Sequence, residues 1–395
     1  MRRFVTFLLI IVFCCGFLGC TTELEERYLG KETLSKEMIA TWSADLFRSG
    51  FELEENYLIS PLSVLLALSM TVNGAAEETL WQMEQVLGAK KEHLNVYFLN
   101  NLPALRSEDL QIANSIWLNQ NEVLEVVPQF LELNQTYYQA QINQERFNFR
   151  TAKNINGWVK KHTGEMIEKI IDEVDPDSVL YLINAIAFDA QWEEAYPAEQ
   201  IHEDYFTNYR QEKTRVKLMQ SEESIYLEDQ KARGFIKPYA GGKYSFVAIL
   251  PADLEEYVRE MKGETILNFL NSARKVKVDA YLPRFSYDYG CKLNDVLIAL
   301  GMEQAFQPTQ ADFSQMAKIK GENIYIDEVL HKTFIEVDEK GTKAAAVTSV
   351  GIITTTAIQN EERQQVKLDR PFLYLIIDEA ASWPVFMGAV IDLEV

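Results

Sequence analysis

Side chains that carry most enzyme chemistry are scarce in this sequence. Its 395 residues include only four histidines, His93, His162, His202 and His331, and none has metal-ligand spacing to another histidine or to cysteine. Nucleophile-elbow, zinc-helix, phosphate-loop and dinucleotide-binding motifs are all missing. The many carboxylates could supply an acid–base pair, but with so many acids a chance pair is the better interpretation. We therefore expect no catalytic residues, no metal and no cofactor.

Positive charge is also in short supply. Lys and Arg number 38 against 59 Asp and Glu, which gives a net charge of −21. Sequence-independent nucleic-acid binding needs Lys and Arg to displace counterions from phosphate, so this class of partner is excluded. The 47% hydrophobic content, by contrast, is enough for a large folded core.

The N-terminus, "MRRFVTFLLIIVFCCGFLGC", has two arginines and an apolar run too short for a comfortable transmembrane helix. This pattern predicts a secretory signal over residues 1–19. Its end, "FLGC", resembles a bacterial lipoprotein signal with Phe17 where leucine is usual, which predicts a bacterial protein lipidated at Cys20. Plain cleavage nearby and an uncut signal anchor are the alternatives. Lipidation would leave an exported protein at the cell envelope or cell surface, touching membrane only through the anchor.

Residues 20–30 are then an acidic tether, and residues 31–395 one domain. Cys14 and Cys15 leave with the signal, so Cys291 is the only free thiol of the mature chain and no disulfide forms. "SKEMIATWSADLFRSG" and "PLSVLLALSMTV" predict helices, and so does "INGWVKKHTGEMIEKII".

Strands dominate the second half of the domain. "VLYLINAIAFDAQW" predicts a strand buried on both faces, "GFIKPYAGGKYSFVAILPAD" a hairpin, and "VKVDAYLPRFSYDY" a strand pair. Helices and strands without a βαβ rhythm indicate an α+β fold. One long tract, between Val337 and Pro371, reads as a loop although its first half is rich in β-branched residues.

Several segments, in order, resemble the serpin family over nearly the whole domain. They are "NYLISPLSVLLALSMTVNGAAEET", "QIANSIWLNQ", "INGWVKKHTGEMI", "LINAIAFDAQWEEAY", "YLPRFSYDY", "LIALGMEQAF", "ADFSQM", "HKTFIEVDEKGTKAAAVTS" and "DRPFLYLIID". The resemblance implies three β-sheets surrounded by helices. It also implies an exposed reactive loop, about residues 339–370, that baits a protease. Target proteases are then the partners, and we expect a monomer.

The resemblance also carries residue roles. The hinge of the loop corresponds to Glu339, Gly341, Thr342, Ala344, Ala345, Ala346 and Thr348. The polar residues beneath the opening sheet, and the tryptophan where the loop enters, correspond to Ser60, Ser63, Asn184, His331 and Trp192. The usual loop length places the reactive bond at Thr355–Thr356, with Ile353, Thr354 and Ala357 as plausible neighbours.

The composition of the loop agrees with a segment that becomes a strand. With Thr342 facing inward, every second residue as far as Ile352 is small or apolar, because side chains alternate across a strand. Lys343, where the family usually has an acid, then falls on the outward face. The family implies inhibition by loop insertion and covalent trapping of serine proteases, and cysteine proteases are open as further targets.

The residues around the bond favour an elastase-like or subtilisin-like target; a trypsin-like enzyme would have to cut at Arg363 or Lys367, far down the loop. The chief alternative is a non-inhibitory serpin, a binding protein that is merely cleaved. A hydrolase would require a catalytic constellation that the sequence does not show.

Overall fold

The computed structural model describes residues 34–120, 124–176, 178–320, 323–342, 362–380 and 383–393. Several predictions fall on other residues and so lie outside the described part. They concern the signal, the tether and Cys20, the hinge residues Ala344, Ala345, Ala346 and Thr348, and the reactive-bond residues Ile353, Thr354, Thr355, Thr356 and Ala357.

The helices of the described residues bury apolar side chains, and three of them begin at a side-chain cap from Ser35, Ser60 or Asp253. The helices are α1 (Lys36–Gly50), α2 (Pro61–Val72), α3 (Glu77–Leu87), α4 (Lys91–Leu105), α5 (Pro128–Tyr138), α6 (Thr151–His162), α7 (Leu254–Glu260), α8 (Gly263–Asn271) and α9 (Asn294–Ala299). In α1 the Ser35 side chain accepts from the Met38 amide, and Trp42 and Leu46 are buried as their spacing predicts. None of these helices is long and apolar enough to cross a membrane.

The strands of the described residues form a large mixed sheet and three smaller ones. The first nine are β1 (Tyr57–Ile59), β2 (Leu110–Asn119), β3 (Leu124–Val126), β4 (Gln141–Glu145), β5 (Leu180–Phe188), β6 (Ala190–Gln191), β7 (Ile201–Thr207), β8 (Lys213–Glu228) and β9 (Ala232–Pro238). The other nine are β10 (Tyr244–Pro251), β11 (Arg274–Pro283), β12 (Phe285–Lys292), β13 (Ala317–Ile319), β14 (Leu330–Val337), β15 (Gly341–Thr342), β16 (Arg363–Lys367), β17 (Phe372–Asp378) and β18 (Trp383–Val390).

Hydrogen bonding orders the largest sheet β1-β18-β17-β10-β9-β8-β11-β16, with β7 also paired with β8. A three-stranded sheet has the order β4-β2-β5 and a four-stranded sheet the order β12-β14-β15-β6; β3 and β13 pair by themselves. Because β6 continues β5 after Asp189, the three-stranded and four-stranded sheets belong to one layer. The predicted hairpin, with Gly241 and Gly242 at positive φ, is confirmed as β9–β10.

Two local predictions are wrong. The helix predicted across residues 155–171 ends at His162, because Gly164 and Glu165 adopt left-handed backbone and the Glu165 amide bonds back to the Lys160 carbonyl. β11 and β12 are both strands but do not pair with each other. The chain changes sheets at Arg284, whose amide bonds to the Lys217 carbonyl.

Both faces of β5 are covered, as its unbroken apolar sequence predicts. Ile186 and Phe188 face the main core. Ile183 and Ala185 face a second apolar cluster that includes Ile155 of α6. Because directly paired residues share a face, this alternation also assigns the faces of β2, which pairs with β5.

Candidate functional site

The layer that contains β5 and β14 is not closed. β5 pairs with β2 on one side, β14 pairs with β12 on one side, and no ladder joins β5 to β14 among the described residues. β15 lies between β6 and β14 at one end only. The two strand edges below β15, here called the slot, therefore present backbone groups that another strand could pair with.

Four of the predicted residues meet at the slot, although they come from separate segments. Ser60 caps α2: its hydroxyl accepts from the Ser63 amide at 3.2 Å and donates to the Val385 carbonyl at 2.7 Å. The Ser60 amide donates to Nε2 of His331 at 3.1 Å. The Ser63 hydroxyl contacts Oδ1 of Asn184. We call Ser60, Ser63, Asn184 and His331 the polar cluster.

The polar cluster extends to residues that the sequence did not single out. Nδ2 of Asn184 donates to Oδ1 of Asn114 at 2.7 Å, and Nδ2 of Asn114 donates to the Tyr138 carbonyl at 2.8 Å. Asn114 is 2% exposed in the middle of β2. A buried asparagine within the strand segment "QIANSIWLNQ" was the available signal, since buried amides need partners. The network thus ties the slot edge of β5 to α5.

Burial controls the protonation of His331. The side chain is enclosed, and desolvation lowers its pKa to about 4. The imidazole is therefore neutral at pH 7, which leaves Nε2 free to accept from the Ser60 amide. A protonated His331 could not accept this hydrogen bond.

The start of the predicted hinge is already inside the layer. Gly341 pairs with Gln191, and Thr342 pairs with both Ala190 and Val337. A Cβ on Gly341 would lie 2.1 Å from the Ala190 carbonyl oxygen, so only glycine allows this approach. Glu339 forms an ion pair with Arg284 just before the strand.

Trp192 contacts the same segment from the side. Its amide donates to the Lys340 carbonyl at 2.9 Å, and its indole Nε1 donates to the Asp338 carbonyl at 2.9 Å. Its ring stacks on Tyr239 with a centroid distance of 4.5 Å. The Tyr239 hydroxyl in turn bonds the Thr342 hydroxyl at 2.5 Å, and burial raises the pKa of Tyr239, so the phenol stays neutral.

A buried ion pair lies behind this tryptophan and was not anticipated. Nζ of Lys237 is 2.9 Å from Oε1 of Glu223, with side chains only 2% and 8% exposed. The ammonium also lies 4.3 Å from the Tyr196 ring centroid and 5.5 Å from that of Trp192. The lysine precedes a proline in an ordinary-looking strand, so only the fold reveals that it is enclosed.

The far end of the long tract between Val337 and Pro371 belongs to the largest sheet. β16 pairs in parallel with β11, and Nη2 of Arg363 lies 2.7 Å from Oε2 of Glu222. Nζ of Lys367 lies 2.9 Å from Oδ2 of Asp204. The tract that the sequence reads as one loop is therefore anchored at both ends by short strands, one in each sheet.

In the described part, no group of three or more His, Cys, Asp or Glu is arranged to hold a metal ion.

Comparison with known proteins agrees with this geometry. A family model described as Serpin (serine protease inhibitor) matches residues 38–393. The chain belongs to the serpin family. The crystal structure of the thermophilic serpin tengpin in its native state is 44% identical, with a TM-score of 0.86, and the match covers 92% of this chain and 96% of that one.

Curated relatives extend over similar lengths. Leukocyte elastase inhibitor A of Mus musculus is 30% identical over 85% of this chain and 92% of its own. An uncharacterized serpin-like protein of Thermococcus kodakarensis, TK1782, is 28% identical over 94% of this chain and 89% of its own. The α+β serpin fold predicted from the sequence is thus confirmed.

Proposed function

We propose that this serpin inhibits serine proteases, with cysteine proteases as possible further targets, by offering the reactive loop, about residues 339–370, as a substrate and then inserting the cleaved loop into the slot. The observation that carries the proposal is β15, which already occupies the top of the slot, while among the residues that the structure describes no ladder joins the edges of β5 and β14 below it. The strand-like composition of the loop supplies what those edges lack. The similarity to leukocyte elastase inhibitor A supports an inhibitory role.

The register of β15 predicts apolar contacts for the first residues to insert. In an antiparallel ladder, each step forward on one strand is a step back on its neighbour. Continued from Thr342, the ladder places Ala344 beside Phe188 and Ile335, which are 7% and 3% exposed. A small side chain fits there without overpacking the core.

The same register brings a polar residue to the polar cluster. Thr348 falls between Asn184 and His331, the two members of the cluster on facing strands. Its hydroxyl can both donate and accept there, which suits a buried polar position. At Ala344 and Thr348, the side chains of the loop therefore suit the side chains that flank the slot.

Insertion would move the trapped enzyme a long way. The protease serine attacks the Thr355 carbonyl, forms an ester with that residue and releases a new N-terminus at Thr356. The strand from Thr342 to Thr355 rises about 3.3 Å per residue, so the acylated end travels about 40 Å. An enzyme dragged this distance before the ester hydrolyses stays covalently bound.

The test uses the mature protein with an elastase, a subtilisin and trypsin, followed by denaturing gels and intact mass measurement. We expect a denaturant-resistant complex with an elastase or a subtilisin, and a released peptide that begins at Thr356. Trypsin should give cleavage without a complex. Two clean fragments and an active protease in every case would contradict inhibition and favour the binding-protein alternative.

A matched pair of variants separates insertion from cleavage. Ala344→Arg places a cation against Phe188 and Ile335, so cleavage should continue while the covalent complex is lost. Ala345→Arg makes the same change one residue later, on the opposite face, between Phe334, which is 38% exposed, and Ala187, which is 5% exposed. This control should keep more of the trapping than Ala344→Arg, because one side of its position is open to solvent. Equal behaviour of the two variants would contradict the register.

A further inference from the structure

A basic stretch stands out against the acidity of the chain. Residues 146–162 hold five Lys or Arg, and no Asp or Glu, in a protein whose acids outnumber its bases by 59 to 38. Most of this stretch is α6, whose Ile155 and Val159 are fully buried in the second apolar cluster. The charges therefore collect on the side of α6 that faces away from that cluster.

Helical spacing places three of the cations on one exposed face. Four residues of α6 and its N-cap follow one another at intervals of three or four, so they share a side of the helix, and all four are exposed. We call them the basic face: Arg150, Lys153, Gly157 and Lys161. The face is about 16 Å long, from the rise of 1.5 Å per residue. Within the described part of the chain its cations form no ion pair, whereas the neighbouring Lys160 lies 3.0 Å from Oε1 of Glu168.

The basic face carries three features that weaken a helix. Arg150 occupies the N-cap and makes no side-chain cap hydrogen bond. Lys153 lies in the first turn, where the helix macrodipole favours acids, and that turn contains none. Gly157 lies in the helix interior, where glycine is less stable than alanine, although an added Cβ would meet nothing within 4 Å. Packing among the described residues explains none of these choices, which is typical of a surface that serves a partner.

An aromatic side chain stands at the N-terminal end of the basic face. Phe149 is 83% exposed, the highest fraction among the large hydrophobic side chains of the described residues. The guanidinium carbon of Arg150 lies 5.3 Å from the ring centroid, so the ring and the cation share one place on the surface. Aromatic rings beside Lys and Arg are typical of surfaces that contact anionic membranes. There the ring enters the headgroup boundary while the cations meet phosphates.

We propose that the basic face, with Phe149 at its end, docks this protein on an anionic lipid surface. Gly157 lets headgroup phosphates approach the helix backbone between the cations. Phe149 favours lipid over a soluble polyanion, because an apolar ring gains free energy by leaving water at the headgroup boundary.

The charge of the remaining surface then orients the molecule. With a net charge of −21, the rest of the protein is repelled by an anionic membrane, so only the basic face turns toward it. The sequence predicts membrane contact only through Cys20, which lies outside the described residues, and the basic face adds a second contact. This inference goes beyond protease inhibition and does not depend on it.

Vesicle binding tests the docking directly. The mature protein, without acyl chains, is sedimented with vesicles of phosphatidylcholine alone or of equal parts phosphatidylcholine and phosphatidylglycerol. We expect binding only to the vesicles that contain phosphatidylglycerol, and its loss in 1 M NaCl, because salt screens exposed charges. Lys153→Gln/Lys161→Gln should lower the partition coefficient about 25-fold, which is about fivefold for each cation removed. Phe149→Ala should lower it about three- to tenfold.

Two further variants separate docking from net charge and from folding. Lys213→Gln/Lys318→Gln removes the same charge at exposed lysines of β8 and β13 and should leave vesicle binding unchanged. Gly157→Glu puts a better helix former four residues from both Lys153 and Lys161. Its thermal midpoint should therefore rise while its vesicle binding is lost.

Several outcomes would overturn the inference. They are binding to neither kind of vesicle, equal binding to both, an equal loss in the two lysine pairs, and wild-type binding by Gly157→Glu. Dextran sulfate serves as a soluble polyanion in the same assay. If it binds through Lys153 and Lys161 while the phosphatidylglycerol vesicles do not bind, the basic face belongs to a soluble polyanion and the assignment to lipid is wrong.

Discussion

Acidification should weaken this protein through a single buried histidine, His331. Desolvation holds its folded pKa at about 4, against an ordinary value near 6.5 in the unfolded chain. Between these two values the unfolded state binds a proton that the folded state does not, so the free energy of unfolding falls as pH falls. The contribution of His331 is complete above about pH 6.5 and lost by about pH 4.

The magnitude follows from the same numbers. One pKa unit corresponds to about 1.4 kcal/mol, so lowering the pH from 7.5 to 5.0 should cost about 2 kcal/mol through His331 alone. Carboxylates titrate over part of this range too, and a variant is needed to isolate the histidine. His331→Gln keeps an oxygen that can accept from the Ser60 amide and removes the titration.

Urea unfolding at pH 7.5 and 5.0 measures the effect. The loss between the two values should be about 2 kcal/mol smaller for His331→Gln than for wild type. His202→Gln changes an exposed histidine and should retain the wild-type loss. A His331→Gln protein with the same pH dependence as wild type would refute the reasoning, because His331 would then titrate alike in both states.

Two further substitutions test the packing around the hinge. Lys237→Met leaves Glu223 buried without its cation and should lower the free energy of unfolding, measured in urea, by about 3–5 kcal/mol. The double variant Lys237→Met/Glu223→Gln should recover part of this loss. A cost under about 1 kcal/mol for Lys237→Met alone would contradict a desolvated ion pair. Gly341→Ala drives a Cβ against the Ala190 carbonyl and should cost about 1–3 kcal/mol in thermal unfolding. Gly290→Ala, whose nearest neighbour would be 3.8 Å away, is the matched control, and equal losses would argue against the close contact.

Local patterns predicted much of the fold because they report local physics. The spacing of Trp42 and Leu46 predicted α1, and the glycine pair at Gly241 and Gly242 predicted the hairpin turn. The strand pair predicted around Arg284 failed for a reason outside its own residues. Each of its strands finds better partners far away in the chain, in two different sheets.

The candidate site shows the same division. Ser60, Ser63, Asn184 and His331 could be named only through the family resemblance, since they are far apart in the chain. Tyr239 and Lys237 escaped notice because no local sequence pattern marks them, and only their burial in the folded protein gives them their partners. The roles of the hinge residues, the reactive bond and the lipidation of Cys20 stay predictions.

By itself, the sequence determined the α+β composition, the strand character of the loop and the alternation that leaves charge off its inward face. These properties depend on neighbours a few residues apart. Only the tertiary structure decided that β15 enters beside Ala190 and that Ser60, Ser63, Asn184 and His331 meet at the slot. Register between distant strands is set by the packing of the whole layer, which no local segment contains.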